Sequence, residues 1–135
     1  MAHGLLSLPD RPDELSVYAT EAYYTGPDSR LRRFRYRVDG YVAVESAGEG
    51  QLLTRPLRFD GGSMTINAKV SDGGSVVVEV LAPDGTTIRS RPFEGDATDA
   101  AITWESGDLA AVAGQPIRLR FRLRDASLFA FQFHQ

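Results

Sequence analysis

Residues 116–125 read PIRLRFRLRD, in which Arg118, Arg120, Arg122 and Arg124 alternate with Ile117, Leu119, Phe121 and Leu123. Strict alternation suits a β-strand with one apolar and one polar face, because successive side chains of a strand point to opposite sides. A helix would scatter both sets around its circumference. The same period returns in RFRYRV (33–38), where Arg33, Arg35 and Arg37 interleave with Phe34, Tyr36 and Val38. In SMTINAKV (63–70), Met64, Ile66, Ala68 and Val70 share a face. In SVVVEVLA (75–82), Val76, Val78 and Val80 lie opposite Val77, Glu79 and Leu81, a pattern expected of a strand partly covered on both sides.

Between those two runs, SDGG reads as a hairpin turn, since Asp and Gly accept the positive φ values that tight turns require. APDGTTI (82–88) repeats the device with Pro83 and Asp84-Gly85. Further strands are expected at 16–20, 41–45, 51–54, 57–59, 101–105 and 128–133, the last stacking Phe129, Phe131 and Phe133 on one side with Phe121 in a common core. Only SGDLAAVAGQP (106–116) has the makings of a helical turn. Asp108 caps it, Leu109 and Val112 point inward, and Gly114 ends it before Pro116. The expected fold is therefore all-β, an antiparallel β-sandwich of jelly-roll-like type over 40–135, preceded by an N-terminal extension over 1–39.

A chain of 135 residues with 42% hydrophobic content has room for one domain with a substantial core. Its net charge of −3 argues against nucleic acid as a partner. No stretch approaches the roughly 20 apolar residues of a membrane helix, so no membrane partner is expected. The opening MAHGLLSLPDRPDELS has neither a basic region nor a long apolar one, and does not read as a signal peptide. The absence of cysteine excludes disulfides, thiolate zinc sites and cysteine nucleophiles.

The arginine rows are expected to be the wet side of strands, paired across the sheet with Glu45, Glu79 and Glu105. An anionic glycan or protein surface is the competing use of such a row. Trp104 is a candidate stacking platform for a sugar ring, but it shares parity with Ile102, which favours core placement. Tyr23, Tyr24 and Tyr41 lie nearer to loops and strand ends and are the better sugar-contact candidates. Glu21, Glu45, Glu79, Asp96, Asp99, Glu105 and Asp108 supply carboxylates, yet no two are marked as an acid–base pair. No catalytic residue is assigned. The Asp-rich turns FDGG, SDGG and EGDATD are candidates for a structural calcium ion, although none has EF-hand spacing. His3 and His134 sit at opposite ends without metal-ligand spacing, so no metal site and no cofactor is assigned.

The ordered blocks DELSVYATEAYYTGPDSRLRRFRYRVDGYVAV (13–44), LLTRPLRFDGGSMTINAKVSDGGSVVVEVLAPDG and DLAAVAGQPIRLRFRLRDASLFAFQF carry a family resemblance. The chain resembles the C-terminal part of bacterial five-bladed β-propeller proteins related to the invertase and arabinofuranosidase glycosidases. The resemblance implies that the first block is the end of a propeller and that the rest is an appended, non-catalytic β-sandwich. The catalytic carboxylates of that group belong to earlier blades, so none is carried onto this chain; the resemblance implies only that Glu21, in the propeller-end block, faces a glycan cleft of the intact protein and is a sugar-contact candidate. The implied partners are an upstream propeller catalytic domain and a polysaccharide, and the implied parent protein is secreted or periplasmic. On this reading Met1 opens a fragment. The rival expectation is an autonomous carbohydrate-binding domain, and the least favoured is a short glycosidase acting alone.

Overall fold

The computed structural model describes residues 2–23 and 26–135, and apart from one 3-10 turn its regular elements are all strands. The chain divides into two compact units, Met1–Tyr41 and Val42–Gln135.

The first unit is an antiparallel meander of β1 (Ala2–Leu8), β2 (Arg11–Glu21) and β3 (Arg30–Arg37), with β2 in the middle. Register sorts its residues by parity. Leu15, Val17 and Ala19 align with Tyr36, Phe34 and Arg32, and Leu5 stands beside Val17. The opposite face carries Glu14, Ser16 and Tyr18 against Arg37, Arg35 and Arg33. There the Nε of Arg33 donates to the Ser16 hydroxyl at 3.0 Å, which accounts for a serine almost wholly buried on the polar side. The two strands expected at 16–20 and 33–37 therefore pair with each other. Of TGPDSR (25–30), residues 26–29 lie between β2 and β3 and Arg30 opens β3, while Thr25 lies outside the described residues.

The second unit is one antiparallel sheet in the order β4–β9–β5–β6–β8, with β7 on the first half of β5. Its strands are β4 (Val44–Leu53), β5 (Ser63–Leu81), β6 (Thr87–Ser90), β7 (Asp96–Ala101), β8 (Trp104–Ser106) and β9 (Arg118–His134). β5 and β9 are long and do not run straight. Ten residues of strand span about 33 Å, yet the rings of Phe121 and Phe131 on β9 lie 5.4 Å apart. The sheet is folded over on itself, and its two halves enclose one core. Met64, Ile66, Ala68 and Leu128 come from one half, and Val76, Val78, Val80, Leu119 and Phe121 from the other. This is the antiparallel sandwich that the alternation predicts.

The fold line crosses three neighbouring strands at one level. Val70 pairs Ala126 and Ser75 pairs Arg124, so β5 has three more residues than β9 between those pairs. Ser46 pairs Ala126 and Glu49 pairs Arg124, which leaves one extra residue on β4. At the crossing Asp125 takes φ +44°, and its Oδ1 accepts a 2.7 Å bond from the Gly48 amide. Bulges bend and twist a strand locally, and here they line up into a crease.

SDGG is thus not a hairpin. β5 continues past it in the same direction along the same partner, because β9 offers pairing to both 63–70 and 75–81. A second correction concerns the phenylalanines. Asn67 pairs Ala130 while Ala68 pairs Leu128, so Phe129 is an extra residue on β9 and parity flips there. Phe121 is fully buried and Phe133 stacks on Phe59 at 4.1 Å, but Phe129 is half-buried and Phe131 is 36% exposed. Third, EGDATD is largely strand β7 and not a turn, paired to β5 through Ala68–Ala97 and Lys69–Asp96. The expected strand at 57–59 reduces to a single bridge, Leu57 to Ile117. The 3-10 turn Leu109–Val112 matches its expectation in detail. Asp108 Oδ1 accepts from the Ala110 amide at 2.9 Å, and Leu109 and Val112 are buried. Gly114 follows at φ +75°.

Candidate functional site

On the sandwich face turned away from the core, β9 presents Arg118, Arg120, Arg122 and Arg124 between β4 and β5. Register places Arg120 beside Glu79 and Arg122 beside Val77 on β5, with Arg89 of β6 on the other side of Glu79. Both Val77 and Glu79 are buried, Glu79 to 5% exposure, although they point away from the core. Arginine stems from the flanking strands are long and aliphatic enough to cover them while their charged ends stay wet.

Glu79 is the hub of this face. Arg120 Nη1 donates to its Oε2 and Arg122 Nε to its Oε1, both at 3.1 Å. Arg89 Nη1 stands 3.6 Å from Oε1, and Arg89 Nε stands 3.9 Å from Glu105. Of the three acids expected to pair with the arginine rows, Glu79 does so, while Glu105 stands near Arg89, which belongs to neither row. Glu45 instead accepts a weak 3.4 Å bond from the Ser127 hydroxyl. The arginine row is a wet strand face as expected, but it is organised around a buried carboxylate, which residue types alone did not reveal. The lone acid in the run VVVEV is the signal that marks it.

Beside Glu79 lies a groove of about 460 Å³, with Val77 and Pro92 among its apolar lining, Arg89, Arg122 and Arg124 as its cations, and Gln51 and Glu49 from β4. The Arg124 guanidinium makes no hydrogen bond or ion pair among the described residues. Arg122 spends its Nε on Glu79, and its two terminal nitrogens make no bond among the described residues. The groove therefore holds one guanidinium oriented by Glu79, that of Arg122, and one that is unspent, that of Arg124, above an aliphatic floor.

The residues singled out from the sequence are not gathered in one place. Trp104 packs against the sandwich core, half-buried, as its parity with Ile102 suggested. Tyr41 is 57% exposed and its ring lies 5.5 Å from that of Tyr36. Tyr23 is also largely exposed, while Tyr24 lies outside the described residues. Glu21 is gripped by Arg30 Nε at 2.6 Å and Arg32 Nη1 at 2.9 Å. The hydrogen bond from Arg30, with the charges of Arg30 and Arg32, holds its carboxyl below the usual glutamate value. Such a carboxyl stays ionised and is ill suited to donate a proton. Among the described residues no group of three or more His, Asp or Glu is placed to hold a metal ion.

No family model, curated protein or solved structure matches this chain.

Proposed function

We propose that this chain is a non-catalytic β-sandwich module that accompanies a glycosidase-like β-propeller and attaches to it through the sheet β1–β2–β3. The reading is supported by the apolar face of that sheet. Leu5, Leu15, Val17, Phe34 and Tyr36 share one side of three strands, and Leu5, Phe34 and Tyr36 are exposed. Three strands form a single layer, and a layer becomes stable when its apolar face is covered by another. A propeller meets that need, since its blades are small antiparallel sheets ranged around a channel, typically about four strands each.

Amide exchange tests this. Val17–Thr20 should exchange much faster than Val76–Val80 in the chain alone, and should slow in a fusion with a five-bladed propeller domain of this glycosidase group. Slow exchange of both segments in a monomer would remove the need for a propeller. The chain alone should release no sugar from aryl arabinofuranosides or fructosides. A second reading, an autonomous carbohydrate-binding domain, draws on the open groove beside Glu79 and the unpaired guanidinium of Arg124.

A further inference from the structure

We infer that the groove beside Glu79 binds a linear anionic polysaccharide, reading its carboxylate or sulfate groups with Arg122 and Arg124. The inference extends the carbohydrate-binding reading and commits it to a charge class. Arg118, Arg120, Arg122 and Arg124 form a row along one strand, and alternate residues of a strand are about 6.6–6.8 Å apart. A linear array of cations fits a chain that repeats its negative charge. The buried carboxylate of Glu79 fixes Arg120 and Arg122 from below, so their free donors are held in place before any ligand arrives.

Other linear polyanions fit the same surface less well. Duplex nucleic acid requires a broad basic surplus, whereas this chain carries a net −3. Single-stranded nucleic acid is held by aromatic stacking, and the groove lining is without an aromatic ring. An acidic peptide commonly docks by adding a strand to a sheet edge, but β9 lies in the sheet interior between β4 and β5. A polysaccharide needs only charged and polar side chains above an aliphatic floor, and the groove supplies both. Glu49, which also lines it, opposes an anionic ligand and sets a limit on affinity.

Affinity electrophoresis of the full chain at low salt, in gels containing polygalacturonate, dextran sulfate or neutral dextran, tests the proposal, with a single-stranded oligonucleotide titration beside it. Retention by an anionic polysaccharide, weakened by salt, is expected. Stronger retention by polygalacturonate assigns carboxylates as the ligand groups, and stronger retention by dextran sulfate assigns sulfate esters. Arg124→Gln, which breaks no side-chain hydrogen bond or ion pair among the described residues, should weaken retention about threefold, and Glu49→Gln should strengthen it about twofold. Arg124→Lys should recover part of the loss. Retention by neutral dextran alone would overturn the anionic groove and leave carbohydrate binding standing. No retention by any polysaccharide would overturn both, as would oligonucleotide binding as tight as that of the polysaccharide. Unchanged retention in Arg124→Gln, with the fold intact by circular dichroism, would also overturn it.

Discussion

Replacing Gly74 with alanine tests the crease. A β-carbon at Gly74 would sit 2.4 Å from the Arg124 carbonyl oxygen, 2.8 Å from that of Asp125 and 2.9 Å from a Val70 methyl. Carbon and carbonyl oxygen settle at about 3.3 Å or more, so the backbone must yield by about 0.9 Å. Both carbonyls belong to β9, which is paired on one side to β4 and on the other to β5, so neither is a free end that can swing away. Overpacking of this kind costs typically about 1–3 kcal/mol, and a clash with paired backbone belongs at the upper end, about 3 kcal/mol. Gly73 is the control. It holds φ +76° with open space around its missing β-carbon, so Gly73→Ala should cost only about 1 kcal/mol of left-handed strain. Urea unfolding followed by Trp104 fluorescence is the assay, because the chain's one tryptophan packs on the sandwich core and reports that unit alone. With an m-value of about 2 kcal/mol/M, Gly74→Ala should lower the midpoint by about 1.5 M and Gly73→Ala by about 0.5 M. If SDGG were a hairpin turn, Gly73 would be the costly position. The reverse order of losses, or equal losses, would refute the crease.

The same assay separates the two rings that meet across the fold. Phe121→Ala should cost about 3–5 kcal/mol, and Phe131→Ala, at a partly exposed ring, about 1–2 kcal/mol; equal losses would mean that Phe131 is buried as deeply as Phe121. Arg120→Gln combined with Arg122→Gln removes both close donors of a buried carboxylate and should cost about 3 kcal/mol. Adding Glu79→Gln should recover part of it, and no recovery would show that Glu79 is not charged and paired. Because the carboxyl of Glu21 is held below its ordinary 4.5, the stabilisation from its arginines is complete above that value and is lost as pH falls through the lowered one. In a carboxyl-carbon titration by NMR, Arg30→Gln should move the Glu21 midpoint up toward 4.5, and an unmoved midpoint would exclude Arg30 as the main cause.

What the sequence by itself determined follows from effects confined to a few residues. The alternation from Ile117 to Leu123 decided which side of β9 faces the core, because side-chain direction in a strand depends only on parity. Asp108, Leu109, Val112 and Gly114 marked a capped turn, since capping is a bond between residues two apart. The attraction between Glu79 and the arginine row was legible from residue type. Its burial was not, because that depends on arginine stems arriving from two other strands. Tertiary structure alone decided the fate of SDGG and EGDATD. Asp and Gly ease positive φ in a hairpin and in a bulge alike, and β9 and β5 settled the choice by offering continuous partners on either side. It also decided which phenylalanines are inside. A single extra residue at Phe129 reverses parity for all that follows, and nothing in its local sequence sets it apart from its neighbours. The groove has the same origin, since Gln51, Val77, Arg89 and Arg122 stand on four strands and meet only once the sheet has formed.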